Sequence, residues 1–348
     1  MKVIASALSR PHFSSQPRLA ARLSDFVALT KPRVMALATF TAFVGWTVAP
    51  HVTEPLRAFV ALLAIAAGAG AAGALNMWYD ADIDAIMTRT SMRPIPRGRV
   101  SRLEALVFGL ALAIGAVLLL ALTANLAAAT LLGGTIVFYA VVYTAWLKRS
   151  TPQNIVIGGV AGALPPVIGW AAATGGVGIE PLSLFLIIFL WTPPHFWALA
   201  LNRADEYARA GVPMLPVVCG RAATKRQILT YSVLLVAASA LPWVAGLAGA
   251  VYAASAAFCG AIFVGLALEL RTSGEAEDRR TARRLFLFSI TYLFVLFAAL
   301  LLDHAGSPRP STFAPMRASA AAKAAPAAPP PVAVQSDRNS IGGETSGG

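Results

Sequence analysis

The stretch NMWYDADIDAIMTRTSMRPIPRGRV, residues 76–100, sets Asn76, Asp80 and Asp84 four residues apart at the end of an apolar run. Four residues turn an α-helix by about 400°, so the three drift only about 40° per step and share one stripe, with Asp82 nearly opposite. Two carboxylates and an amide oxygen on one face are hard donors suited to Mg²⁺. That ion keeps several waters and bridges one or two protein carboxylates to substrate phosphates. Arg89, Arg93, Arg97 and Arg99 follow, and Lys148 and Arg149 end a later apolar run. Guanidinium groups grip phosphate oxygens in pairs. Acids for a metal beside bases for phosphate predict a diphosphate site. Taken singly, helix-end acids form interfacial ion pairs and loop arginines follow membrane topology; taken together over an apolar bundle, they favour function.

The elements that must position these groups are membrane spans. Hydrophobic residues make up 57% of the 348 positions and charged residues 13%, against about 25% charged in a soluble domain. Residues 105–147 and 227–268 contain no charged side chain, and each run is long enough for two spans. Nine spans are expected, near 34–50, 57–79, 103–121, 126–146, 154–172, 182–201, 227–245, 249–269 and 285–302, making an all-α membrane protein. Asn202-x-x-x-Glu206 echoes Asn76-x-x-x-Asp80 four spans later, although Ala210 stands where Asp84 would be matched. The echo predicts two tandem four-helix halves plus one helix.

The net charge of +12 encodes topology rather than nucleic-acid binding. Twenty-three Lys and Arg lie before span 1 or after the even-numbered spans, against Arg57 alone in the opposite connections. That asymmetry places the N-terminus in the cytoplasm and the C-terminus outside. Residues 1–30 read as a basic cytoplasmic segment without a secretory core. Residues 31–303 form the transmembrane domain, and 304–348 read as a disordered Ala/Pro-rich tail. Cys219 and Cys259 have no metal or disulfide spacing and read as packing residues.

Both acidic groups, Asp80 to Asp84 and Asp205-Glu206, fall on the basic face and can share one site. An aliphatic diphosphate would rest its head there and its tail between the helices. A metal and cations would stabilise the departing diphosphate of an allylic substrate, while the bundle keeps water from the cation.

The stripe with RTSMRPIPRGRV resembles the first motif of the UbiA superfamily of intramembrane prenyltransferases. LTKPRVMALATF (29–40), YTAWLKRSTPQNIVIGGVAGALPPVIGWAAATG (143–175), WTPPHFWALAL (191–201) and DEYARAGVPMLPVV (205–218) resemble its haem-farnesylating branch. The resemblance covers about residues 25–303. It implies nine helices, Mg²⁺, farnesyl diphosphate and haem b as substrates, and haem O plus diphosphate as products. Asn76, Asp80 and Asp84 would hold one metal-diphosphate, with Glu206 or Asp205 supplying a second contact. Arg89, Arg93, Arg97, Lys148 and Arg149 would receive the diphosphate. The family usually places Asp before the tyrosine of its second motif; here Glu206 precedes Tyr207, which leaves open which acid faces the site.

His195 follows Pro193 and Pro194, which are expected to interrupt the helix. Buried polar residues in a span are functional candidates, and imidazole is a common axial haem ligand; the plainer role is to satisfy carbonyls freed by the prolines. The Gly- and Pro-containing span 5 is expected to border the acceptor pocket. The expected membrane is the bacterial inner membrane rather than the mitochondrial one, with a downstream haem A synthase as a partner. Prenylation of an aromatic ring, transport, or non-catalytic haem handling are the rivals. A transporter would place its ionisable residues at mid-membrane, whereas these gather at one face.

Overall fold

The computed structural model describes residues 19–50 and 54–306, with no side-chain description for 19–21, 275, 276 and 306. The chain opens with α1 (Leu19–Leu29) and α2 (Pro32–Thr47), followed by α3 (Pro55–Tyr79) and the short α4 (Ala81–Ile86). Next come α5 (Arg102–Thr123), α6 (Leu126–Ser150), α7 (Asn154–Ala163) and α8 (Pro165–Thr174). The second half holds α9 (Glu180–Leu201), α10 (Ala204–Arg209), α11 (Gly220–Ser239), α12 (Ala250–Thr272) and α13 (Glu275–Gly306).

Eight helices among the described residues are long and apolar enough to cross a membrane, α7 and α8 counting as one. The pair α1–α2, bent by 51°, supplies a ninth. The bend has a local cause: Lys31 takes a left-handed conformation (φ 53°, ψ 54°), and Pro32 begins the next helix, its fixed φ suited to a first turn. Span 1 is therefore a short helix with an elbow.

Two apolar cores correspond to the two halves. One joins Ala64, Ala71, Leu75, Ala116, Leu120 and Leu132 of α3, α5 and α6. The other joins Leu184, Ile187, Leu201, Leu235, Phe263 and Phe297 of α9, α11, α12 and α13. Helices α2 and α8 contribute to both, since Ala42 and Ile168 belong to the first and Val44 and Trp170 to the second. In each half the second span packs on the third, α3 on α5 and α9 on α11, and α13 closes back on α2.

Lipid tails are as apolar as leucine, so helix association in a membrane relies on close packing of small residues. A Cβ on Gly45 would lie 2.1 Å from Pro166 O, and one on Gly169 would lie 1.9 Å from Ala42 O. Spans 1 and 5 thus touch backbone to backbone.

Three sequence expectations need adjustment. The helix across Pro193 and Pro194 is not interrupted: α9 runs through both. Trp191, Thr192, both prolines and His195 are buried there, and surrounding helices hold the segment in helical form. Span 9 starts earlier than 285, because the Arg- and Glu-containing turn before it is good helix former; charge marks the membrane edge, not the helix end. Cys259 is buried as a packing residue, whereas Cys219 is exposed. The span 5 helix does break, at Leu164 before Pro165. The tail from 307 onward lies outside the described residues.

Candidate diphosphate and acceptor site

The acidic stripe survives the end of its helix. Asp80 follows the last residue of α3, yet the four-residue ladder continues, with Asp80 N donating to Asn76 O (2.9 Å) and Asp84 N to Asp80 O (2.8 Å). Asn76, Asp80 and Asp84 are all buried, Asp80 completely, while Asp82 on the other face is exposed.

A buried carboxylate needs partners. Lys148 Nζ pairs with Asp80 Oδ2, which also accepts from Asn76 Nδ2 at 2.8 Å. Arg93 Nη1 is 2.6 Å from Asp84 Oδ2. Asp80 Oδ1 has no hydrogen-bond partner; Arg149 Nη2 stands 3.7 Å away. Arg149 is also committed outward, since it grips both oxygens of Asp82 at 2.8 Å and lies over the Tyr79 ring at 4.8 Å. That hydrogen-bonded pair holds the Asp82 carboxyl down at about 2.

Two residues absent from the expected set complete the cluster. Lys31 Nζ donates to Asn76 Oδ1 at 2.5 Å, and its charge interacts with those of Asp80, Asp84, Arg93 and Lys148. Thr144, fully buried, accepts from Asn76 Nδ2 at 3.0 Å. Lys31 reads in sequence as one more topology-setting cation, and only the elbow turns it inward. Arg93 and Lys148 pair with the two buried carboxylates and Arg149 with Asp82, which leaves Lys31, bonded to Asn76, as the one of these four basic groups without a carboxylate partner and gives an anion a place to bind.

The second acidic pair divides. Asp205 is exposed, and Glu206 turns inward. Arg203 Nη1 holds Glu206 Oε1 at 2.6 Å, while Glu206 Oε2 is buried without a partner. Asn202 Oδ1 is likewise buried and unpartnered. Tyr207 is buried, which raises its phenol above the ordinary value, while the positive charges of Arg89 and Arg203 oppose that rise. Arg89 of the first basic loop thus acts on the second motif through its charge. Arg97 is not brought to the cluster; it is exposed and donates to Met92 Sδ. Arg99 pairs with Asp25 of α1 at 3.1 Å.

No three His, Cys, Asp or Glu side chains among the described residues form a ready metal cage. Mg²⁺ is commonly held through one or two protein carboxylates plus substrate phosphates. The unpartnered Asp80 Oδ1 and Glu206 Oε2 are donors of the right kind.

Behind the cluster lies an apolar cavity of about 430 Å³, within the usual range of roughly 300–1,000 Å³ for ligand pockets. Tyr139 and Tyr143 line it, and Thr144, next to Tyr143 in the chain, bonds Asn76, so this segment joins cavity to cluster. Both belong to a π-helical stretch of α6, Phe138–Leu147. Such widened turns recur at functional sites. The same stretch carries Thr144, and Lys148 follows it at once. Gly158 leaves room for this arrangement, since a Cβ there would come within 2.2 Å of Tyr143 Cδ2. Gly158, Gly159, Gly162 and Pro165 of span 5 line the cavity, as does His195. The imidazole Nδ1 bonds Ser289 Oγ rather than a carbonyl freed by the prolines.

Residues 37–290 match the model of the UbiA prenyltransferase family. The chain is 58% identical over 290 residues to a protoheme IX farnesyltransferase of Rhodopseudomonas palustris (strain BisB5), covering 82% of this chain and 92% of that protein. Among solved structures, digeranylgeranylglyceryl phosphate synthase superposes with a TM-score of 0.68 at 19% identity, covering 82% of this chain and all of that one. A UbiA homologue from Archaeoglobus fulgidus, bound to DMAPP and Mg²⁺, does so with a TM-score of 0.54 at 17% identity, covering 80% and 99%. With an apolar bundle, a cation-rich acidic cluster and a family match over most of its length, the chain is a multi-span membrane prenyltransferase belonging to the UbiA prenyltransferase family.

Proposed function

We propose that this chain transfers the farnesyl group of farnesyl diphosphate to a vinyl group of haem b, giving haem O and diphosphate. One observation carries the assignment of roles. The paired cations around Asp80 and Asp84 adjoin an apolar cavity through the π-helical stretch, in which Tyr143 lines the cavity and Thr144 bonds Asn76, so a charged head and a long apolar tail have adjoining places. The reading of the acceptor as haem draws on the 58%-identical relative, a protoheme IX farnesyltransferase.

Mg²⁺ would be held by Asp80 and Asp84 with Asn76, and at a second position by Glu206, with Asn202 nearby in sequence. Bound there, it would neutralise charge on the diphosphate and help it depart. The solved homologue bound to DMAPP and Mg²⁺ supports this choice of ion. Asp205, being exposed, is the weaker candidate of the second pair. Lys31, Arg89, Arg93, Lys148 and Arg149 place positive charge where negative charge develops as the carbon–oxygen bond of farnesyl diphosphate breaks. The new carbon–carbon bond forms at the vinyl terminus. Positive charge then rests on the vinyl carbon next to the porphyrin, water supplies a hydroxyl to it, and a proton leaves.

The loop charges argue that the cluster faces the cytoplasm, and the bacterial source of the 58%-identical relative supports a bacterial inner membrane. A haem A synthase is the expected consumer of the product. The test is acceptor competition. Membranes containing the chain are given labelled farnesyl diphosphate, Mg²⁺ and either haem b or a hydroxybenzoate. Label entering haem alone supports the proposal; label entering the aromatic acid instead overturns it.

A further inference from the structure

His195 is enclosed on three sides. Its ring lies between Trp191 (centroids 4.2 Å apart, 18° between planes) and Phe286 (4.7 Å, 28°), and it meets Phe196 edge-on at 5.0 Å. Its Nδ1 is 2.6 Å from Ser289 Oγ. Ser289 is itself tied down: its Oγ donates to Phe286 O, one turn back on α13, at 2.6 Å, and its carbonyl accepts from Trp191 Nε1 at 2.7 Å.

A hydroxyl has one proton and two lone pairs. With the Ser289 proton directed at Phe286 O, only a lone pair remains for the imidazole, so Nδ1 carries the hydrogen and Nε2 the lone pair. Both ring faces are covered and Nδ1 is engaged, which leaves the Nε2 edge as what the ring offers to the cavity it lines. A metal binds imidazole in the ring plane along that lone pair. Ligating histidines characteristically donate their other N–H to an oxygen that fixes the tautomer and orientation.

We infer that Ser289 is a positioning residue that holds His195 as the Nδ1–H tautomer, presenting Nε2 as the axial ligand to the iron of a haem acceptor in this cavity. The inference rests on the haem reading above and extends it. Iron held on His195 fixes the porphyrin centre, so the reacting vinyl group is placed by ligation as well as by shape. An acceptor without a metal forfeits that anchor. Met35, Tyr139 and Tyr143 also line the cavity, and thioether or phenolate ligation would give different spectra.

The test uses the full chain in lipid nanodiscs with haem b and no farnesyl diphosphate, so no turnover intervenes. Affinity is read by absorption titration, and the iron–imidazole stretch of the ferrous complex by resonance Raman. The wild type is expected to show imidazole ligation and His195→Gly to lose it. Ser289→Ala should retain the ligand but lower the stretching frequency and weaken haem binding by about 10-fold, the lower end of effects seen when such outer partners are removed. Ser289→Thr should restore both. A comparison that leaves Ser289 intact covers the case in which Ser289→Ala misfolds. In His195→Gly, added imidazole should restore the wild-type stretch and 1-methylimidazole a lowered one, because only imidazole has an N–H to give Ser289. Equal stretches with the two ligands, or an unchanged stretch in folded Ser289→Ala, overturn the positioning role. Unaltered ligation in His195→Gly overturns the ligand assignment. A wild type that binds no haem overturns the acceptor reading itself.

Discussion

Lys31 reaches Asn76 Oδ1 at 2.5 Å from a left-handed backbone, and it is the one non-glycine residue with positive φ among those described. Such a conformation costs a bulky residue about 1–3 kcal/mol and persists where the surroundings demand it. Here the elbow between α1 and α2 aims an ammonium group at the acidic stripe. The strain and the position of the charge are one feature.

Replacing Lys31 with glycine separates the two. Lys31→Gly is expected to leave the thermal unfolding midpoint unlowered, since glycine adopts positive φ freely. Turnover should fall by roughly 100-fold, the scale for removing one preorganised electrostatic contact. Parallel measurement of midpoint and turnover checks both halves. Intact turnover would remove Lys31 from the site.

Gly158→Ala should harm the protein through Tyr143. The added methyl would fall 2.2 Å from the ring, and overpacking of this kind costs about 1–3 kcal/mol. Combining it with Tyr143→Ala should recover stability relative to the sum of the single changes. The double-mutant cycle, measured by unfolding, reads that coupling directly.

Gly45→Val is expected to part spans 1 and 5, because its side chain would enter the Pro166 carbonyl. Loss of a cooperative thermal transition, or a midpoint lowered by several degrees, is the expected outcome. An exposed lipid-facing change such as Leu122→Ala serves as the comparison.

Asp82 tests the opposite face of the stripe. Its carboxyl is held at about 2, below the ordinary 3.8, chiefly by the hydrogen bonds from Arg149. A depressed pKa gives stability that is present above the unfolded value and lost as pH falls through the folded one. The stability gap between the wild type and Asp82→Asn should therefore be constant above about pH 5 and close progressively toward about pH 2. Turnover of Asp82→Asn near neutral pH should fall far less than that of a change at Asp80.

Much of this was legible from residue spacing. The four-residue period of Asn76, Asp80 and Asp84 put them on one buried face and Asp82 on the other, and charge-free runs located the spans. The echo of Asn76 and Asp80 at Asn202 and Glu206 pointed to the inward acid, while the departure from the family's usual Asp before Tyr207 left Glu206 and Asp205 both open. What escaped depends on backbone irregularity or distant packing. The left-handed turn at Lys31 has no composition cue beyond the following proline. The π-helical stretch that brings Tyr139, Tyr143 and Thr144 into place reads as an ordinary apolar helix. Pro193 and Pro194 signal a break that burial prevents, and Ser289 lies 94 residues from the imidazole it contacts.

The most direct measurement is the mass of the haem product. Membranes containing the wild type, given haem b, farnesyl diphosphate and Mg²⁺, should yield a haem heavier by a farnesyl group plus the elements of water. Asp80→Asn should lower that yield by about 100-fold or more. Recovery of unmodified haem from the wild type, or undiminished product from Asp80→Asn, would contradict the assignment.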